Sequence, residues 1–320
     1  MQGAARPVTP IEVNVERTVG DEGGGRRHPN TCPSCRSHFR DDELRHSLRV
    51  CAQCGHHFAV GAMERIEQML DPGSFVEIGS DLRAADPLAF VDLKPYTDRL
   101  LDAELATGLG DSLVAGSGQI VGRPAAVAVM DFAFMGGSMG SVMGERFCLA
   151  ADLAVARRIP LISVTASGGA RMQENILALM QMAKTVGAVD SLREVGVPYI
   201  SVLAHPTTGG VIASFASLGD VVVAEPGALL SFAGPRVVEQ TTGEKTAPDF
   251  GRSESNLRLG QLDAVVPRRE LRGELAKLLV LFSPAEDEPT GDNEPLPQSG
   301  TDENPVDRVL GMFGLGRKRG

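Results

Sequence analysis

Pro160-Leu161-Ile162-Ser163-Val164-Thr165-Ala166, followed by Ser167-Gly168-Gly169-Ala170-Arg171-Met172-Gln173-Glu174, is an apolar run that ends in a glycine pair. Seven residues rich in Leu, Ile, Val and Thr read as a buried strand. Beyond the pair, Met172, Ile176, Leu179, Ala183 and Val186 recur at steps of three and four, which predicts a helix over 170–186 with that stripe toward the core. The same alternation extends in both directions. Gly122 to Phe134, Val197 to Ala204, Val221 to Glu225 and Ala228 to Phe232 read as further strands. Gly144 to Arg158, with Phe147, Ala151, Ala154 and Val155 on one face, reads as a helix, and Arg268 to Phe282 as a closing one. Strands alternating with helices imply an α/β core.

The chain has 320 residues, 42% hydrophobic and 22% charged, which is ordinary for a globular protein with one sizeable core and small attachments. A formal charge of −10 excludes nucleic acid as an electrostatic partner of the molecule as a whole. No early apolar run follows a basic start and no stretch of about 18 apolar residues occurs, so neither signal peptide nor membrane span is expected and the location is cytoplasmic. Residues 1–30 carry Pro, Gly and charge without periodicity and read as a flexible leader. Residues 284–320 read as a disordered tail: seven carboxylates and no Lys or Arg lie between Pro284 and Pro305. A short amphipathic end from Val306 to Gly320 then closes on Arg317-Lys318-Arg319.

Cys32-Pro33-Ser34-Cys35 and Cys51-Ala52-Gln53-Cys54, with fifteen residues between them, match the spacing of a four-cysteine zinc ribbon over 31–58. Two knuckles complete a tetrahedron with no open position, so the metal is structural. In a reducing compartment such cysteines are poor disulfide candidates. Four thiolates around Zn²⁺ leave a formal charge near −2, and Arg36, Arg40, Arg45 and Arg49 are near enough in sequence to offset it or donate to sulfur. His38, His46, His56 and His57 read as surface or supporting residues, and Cys148 as core. Val60 to Leu70, ended by Asp71-Pro72-Gly73, is a helix that opens the main domain over 59–283.

Three glycine segments each stand between a predicted strand and helix: Phe134-Met135-Gly136-Gly137-Ser138-Met139-Gly140, the pair Gly168-Gly169, and Pro206-Thr207-Thr208-Gly209-Gly210-Val211. Glycine pairs there let main-chain N–H groups turn toward developing negative charge, as an oxyanion hole requires, or simply serve as packing turns. There is no G-x-x-x-x-G-K-[ST], no G-x-S-x-G and no H-E-x-x-H, and beyond the ribbon the main domain holds one histidine, His205. That inventory suits a reaction that stabilises an enolate with backbone amides and takes its proton with a cofactor atom.

On these residues the sequence resembles the β subunits of bacterial acetyl-coenzyme A carboxylase carboxyltransferase. The resemblance runs from about Thr31 to Phe282. Beside the ribbon it rests on Phe132-Ala133-Phe134-Met135-Gly136-Gly137-Ser138-Met139-Gly140-Ser141-Val142, Ala166-Ser167-Gly168-Gly169-Ala170-Arg171-Met172-Gln173-Glu174 and Ser231-Phe232-Ala233-Gly234-Pro235-Arg236-Val237-Val238-Glu239-Gln240. It implies a crotonase-like (ClpP/crotonase) spiral of βαβ units behind an N-terminal zinc ribbon. It also implies an α2β2 heterotetramer with a separate α subunit, and work alongside a biotin carboxyl carrier protein and biotin carboxylase. The implied reaction moves a carboxyl group from carboxybiotin to acetyl-CoA, giving malonyl-CoA for fatty acid synthesis.

By resemblance Gly209 and Gly210, with Gly168 and Gly169, take the oxyanion-hole role, and Gly136 and Gly137 line the coenzyme A side. Arg171 and Arg236 either meet coenzyme A phosphates or pair structurally. Two other readings stand beside this one. A coenzyme A hydratase or isomerase of the same fold class would need catalytic Glu residues near the second glycine pair. A nucleic-acid-binding ribbon would use Arg36, Arg40, Arg45 and Arg49.

Overall fold

The computed structural model describes residues 30–282, so the sequence-based readings of leader and tail lie outside the described residues. The described residues open on two knuckles of the same design. Arg36 N–H donates to the Cys32 carbonyl and Gly55 N–H to the Cys51 carbonyl, both at 2.9 Å, and both residues take positive φ, 64° and 74°. Between the knuckles lies α1 (Asp41–His46), and after them α2 (Ala62–Met69). Next come β1 (Val76–Ile78), α3 (Tyr96–Thr107), β2 (Leu113–Ile120) and β3 (Arg123–Met130). The alternating part follows as α4 (Ser141–Arg157), β4 (Leu161–Ser167), α5 (Ile176–Glu194), β5 (Tyr199–Thr208), α6 (Gly209–Ile212) and β6 (Val221–Ala224). The described residues finish with β7 (Leu230–Ser231), α7 (Pro235–Thr242), α8 (Ser253–Arg258), β8 (Ala264–Val265) and α9 (Arg268–Phe282).

One sheet orders these strands β1-β2-β3-β4-β5-β6-β8, with β7 paired to β5. The first three are antiparallel, and β3, β4, β5, β6 and β8 run parallel. Successive side chains on a strand face opposite ways, so each central strand serves two cores. On one face Ala126, Ala128 and Met130 join Met143, Phe147 and Ala151 of α4 and Ala188, Val189 and Leu192 of α5. On the other, Val127, Val129, Ile162, Val164, Ile200 and Val202 join Ile66 and Met69 of α2 and Leu271, Leu275 and Leu279 of α9.

The predicted strands and helices from Gly122 onward are present, with the helix expected over 170–186 displaced to Ile176–Glu194 behind a turn, and with three further differences. Strand β2 went unread because Gly116 and Gly118 dilute its pattern; a Cβ at Gly116 would sit 2.3 Å from the Val76 carbonyl oxygen of β1. Gly122 belongs to the β2–β3 turn rather than to a strand: Val121 and Gly122 take positive φ, and Asp71 accepts both their amides. Helix α5 is rotated against its predicted stripe. Met172, Ile176, Leu179 and Val186 are exposed, whereas Ala178, Gln181, Thr185 and Ala188 are buried. The cause is close packing on α4, where a Cβ at Gly144 would meet Gln181 Oε1 at 2.2 Å, so small and slender side chains face inward.

Candidate active site

The three glycine segments, distant in sequence, meet at the carboxyl ends of β3, β4 and β5, where open α/β sheets place their ligands. Gly168 N–H donates to the Gly136 carbonyl at 2.9 Å, and Met139 N–H to the Gly169 carbonyl at 2.8 Å. A Cβ on Gly209 would lie 3.0 Å from Gly169 Cα, and one on Gly137 only 2.0 Å from the Ala166 carbonyl oxygen. Gly209 and Gly137 also hold φ of 59° and 61°, so both the contact and the torsion require glycine. The sequence-based site is therefore one place and not three. Its amides are unequal, however. Gly168 N–H is committed to Gly136, Gly169 N–H to Ser167 Oγ at 3.0 Å, and Gly209 N–H to the Phe232 carbonyl at 3.0 Å. Gly210 stands in the first turn of α6, where a helix supplies no acceptor for its own amides.

A buried polar network fixes two of these turns to each other. Arg171 is fully buried and grips Asp111 with two nitrogens, at 2.8 and 2.9 Å. It also donates to Ser138 Oγ at 3.0 Å and to the Ser138 carbonyl at 2.9 Å, and its own N–H reaches the Met139 carbonyl. Glu174 accepts from Tyr96 Oη at 2.7 Å and from Ser141 N–H at 2.6 Å, at the start of α4. Burial alone would lower the Arg171 pKa, but Asp111 beside it raises it, so the guanidinium stays charged. Of the two roles open to Arg171 it takes the structural one, since a buried and saturated guanidinium cannot meet a coenzyme A phosphate. Gly137 is likewise buried under Ala166, whereas Gly136 is half-buried and Arg236 is exposed on the first turn of α7. Tyr96, Asp111 and Glu174 carry no spacing signal, and sequence reasoning missed them.

In the ribbon the four sulfurs lie within 4.8 Å of one another, with Cys32 Sγ to Cys54 Sγ and Cys35 Sγ to Cys51 Sγ each 3.6 Å. A tetrahedral ion with bonds of about 2.3 Å needs sulfurs about 3.8 Å apart, whereas a disulfide needs about 2.05 Å. The donor set therefore fits a zinc-like ion. Burial pushes the Cys32 thiol up to about 12, and bonds with Ser37 bring Cys35 down to about 6. A metal bound there displaces the Cys32 proton, so metal retention should weaken as pH falls. Chelator extraction of the loaded protein is expected to be faster at pH 6 than at pH 8; equal rates would oppose thiolate ligation. Arg40, Arg45 and Arg49 pair with Asp42, Asp41 and Glu64 rather than with sulfur, which offsets the ribbon's positive charge locally.

His57, read from sequence as a surface or supporting residue, is buried beside Glu225, its Nδ1 3.5 Å from Oε2. Arg268 grips the same carboxylate at 2.8 and 2.7 Å, and Arg65 Nη1 approaches to 2.7 Å as a charge contact without hydrogen-bond geometry. Burial would raise the Glu225 pKa, but Arg65 and Arg268 pull it well below the usual carboxylate range. Glu225 and Glu174 are thus both locked in buried ion pairs, and neither is placed to act as the acid or base of a hydratase.

A crotonase-like sheet with glycine turns at its strand ends is the architecture of carboxyl transferase domains, and the family model described as carboxyl transferase domain matches residues 59–304. The acetyl-coenzyme A carboxylase carboxyl transferase subunit beta of Synechococcus sp. (strain CC9311) is 49% identical over 82% of this chain and 89% of its own length. The transcarboxylase 12S structure with methylmalonyl-coenzyme A and methylmalonic acid bound aligns at a TM-score of 0.60 and 29% identity over 76% of this chain. This chain spans 43% of that one. A Pseudomonas malonate decarboxylase hetero-tetramer in complex with malonate aligns at a TM-score of 0.56 and 27% identity, covering 70% of this chain and 82% of that one. The chain belongs to the carboxyl transferase family, among the β subunits of acetyl-coenzyme A carboxylase carboxyl transferase. No helix among the described residues is long and apolar enough to cross a membrane.

Proposed function

We propose that this chain is the β half of a cytoplasmic two-subunit carboxyltransferase that converts acetyl-CoA to malonyl-CoA for fatty acid synthesis. The observation that carries this reading is the convergence of the three glycine turns at the strand ends, in a chain 49% identical to a β subunit of that enzyme. Carboxybiotin, delivered on a biotin carboxyl carrier protein charged by biotin carboxylase, supplies the carboxyl group and, once that group has left, a ureido nitrogen basic enough to take the methyl proton. The chain itself needs no general base. His205 Nδ1 accepts the Leu229 N–H at 3.1 Å, and the nearby glutamates are locked in ion pairs. The task left to the protein is to hold the thioester oxygen as it becomes an enolate. We assign that task to the Gly209–Gly210 turn, with Gly210 N–H as the donor and Gly168–Gly169 as the wall that fixes it. Gly136 and Arg236 are the residues offered to coenzyme A. Zinc in the ribbon is structural.

A separate α subunit is the partner, in an α2β2 tetramer. The rotation of α5 supports this assignment: Met172, Ile176, Leu179, Met180 and Val186 form an exposed apolar stripe that starts at the Gly168–Arg171 turn. Leu179→Asp together with Met180→Asp should weaken αβ association on the order of 30-fold, at about 2 kcal/mol for losing a hot-spot pair. Sedimentation of the mixed subunits would measure it, and unchanged assembly would remove α5 from the interface. The reading as a whole is tested by mixing this chain with α subunit and following malonyl-CoA-dependent carboxylation of biotin. No activity from the assembled pair would end it, and activity of this chain alone on an enoyl thioester would favour a hydratase or isomerase.

A further inference from the structure

Carboxyl transfer gives Glu225 no task, yet its carboxylate is 2% exposed and sits where the ribbon meets the strand that ends at Thr208. Arg268 carries the link toward the ribbon: while two of its nitrogens hold Glu225, the third donates to the carbonyls of Leu48 and Arg49 at 3.0 and 3.1 Å. These carbonyls immediately precede the second knuckle, and His57, just past Cys54, completes the contact. Toward the site, Glu225 N–H donates to the Leu203 carbonyl of β5 at 3.0 Å, and its own carbonyl accepts from Ala228. Leu229 then donates to His205 Nδ1 at 3.1 Å and accepts from Thr207 N–H at 2.9 Å, two residues before Gly209. His57, Arg65, His205, Glu225 and Arg268 also share a cavity of about 20 Å³, room for about one water. Ribbon and glycine turn are thus joined by a continuous set of contacts through one residue, Glu225, whose carboxylate holds the ribbon side and whose backbone holds the strand side.

We propose that Glu225 is a positioning residue that couples docking of the cysteine ribbon to the order of the His205–Gly210 segment. Coupling of this kind is reciprocal. If the docked ribbon steadies the strand end, then an intact Glu225 seam steadies the metal in the ribbon by the same factor. The inference rests on zinc occupying the four cysteines and on Gly210 serving the reaction. Its test reads metal release and amide exchange, not transfer, so it can fail while the functional reading stands.

The first measurement uses the unmodified full chain, zinc-loaded and then stripped with a chelator, followed by amide hydrogen exchange. Faster exchange in 203–211 and 225–229 as well as in 31–58 supports the coupling, whereas a change confined to 31–58 overturns it. The second compares zinc transfer to a colorimetric chelator from wild type, Glu225→Gln, Glu225→Asp and Asp111→Ala. At equilibrium with the chelator Glu225→Gln should hold zinc about tenfold more weakly, within the range usual for such coupling, and Glu225→Asp should recover part of the difference. Asp111→Ala damages a different buried ion pair and should hold zinc as tightly as wild type. If Glu225→Gln matches wild type, or Asp111→Ala loses as much zinc as Glu225→Gln, Glu225 has no specific hold on the metal and the inference fails.

Discussion

Gly209→Ala should leave a folded, zinc-loaded subunit that assembles with its partner and transfers carboxyl groups on the order of 10²-fold more slowly, with kcat falling and KM for acetyl-CoA little changed. The added methyl would stand 3.0 Å from Gly169 Cα and 3.4 Å from the Gly168 carbonyl oxygen, both backbone atoms that no rotamer change can move aside. The φ of 59° adds a left-handed penalty of roughly 1 to 2 kcal/mol for alanine. The turn relieves both by shifting, and the shift carries Gly210 N–H away from the oxygen it is assigned to hold. Because that donor matters most once charge has developed on the oxygen, the loss falls on the chemical step rather than on binding. A variant with wild-type kcat would exclude the Gly209–Gly210 turn from the oxyanion site. Gly243→Ala is the matching control: it has a similar φ of 74°, nothing within 4 Å of its Cβ, and it lies at the end of α7.

The alternating core was legible because a strand buried on both faces has to be apolar throughout. Leu161 to Ala166 and Val221 to Ala224 can be read no other way once helices separate them. The cysteines were legible because four donors at fixed spacing leave little geometric freedom, and the sulfur distances answer to it. What sequence misread follows from pair-specific packing. On α5 the rule that large apolar residues face inward fails, because a glycine on α4 admits Gln181 to the seam and the Met and Leu side chains are left outside. His57 and Glu225 were unreadable for a different reason. Their partners Arg65 and Arg268 come from opposite ends of the chain, and a lone charged residue in a helical pattern looks like solvated surface until the fold brings its counterion to it. The glycine segments lay between these cases: their chemistry was visible singly, but their meeting depends on the parallel register of β4 and β5, which sets Ser167 beside Thr207.

The largest loss of stability should come from Asp111→Ala. Arg171 and Asp111 are both fully buried, and the substitution strips the guanidinium of its bidentate partner while leaving its charge in place. Removing one member of a buried pair costs about 3 to 5 kcal/mol, because the remaining ion keeps its desolvation penalty and loses most of its compensation, here all but the longer 3.4 Å contact with Glu174. For a body of this size that is roughly a 10 °C fall in Tm, readable by differential scanning calorimetry of the zinc-loaded chain. The triple replacement Asp111→Leu, Arg171→Met and Glu174→Gln removes all three buried charges and leaves Tyr96 Oη a partner, so it should recover a good part of that loss. Recovery of stability should not bring recovery of activity. Arg171 also donates to Ser138 Oγ and its carbonyl, and Tyr96 and Glu174 pack on the same guanidinium, so without it the 134–140 turn keeps its backbone bonds to the 168–174 turn but loses its side-chain tie. A triple variant that is both stable and fully active would make Arg171 a replaceable packing element. One that is stable but slow would show that the buried network serves to hold the two glycine turns in register.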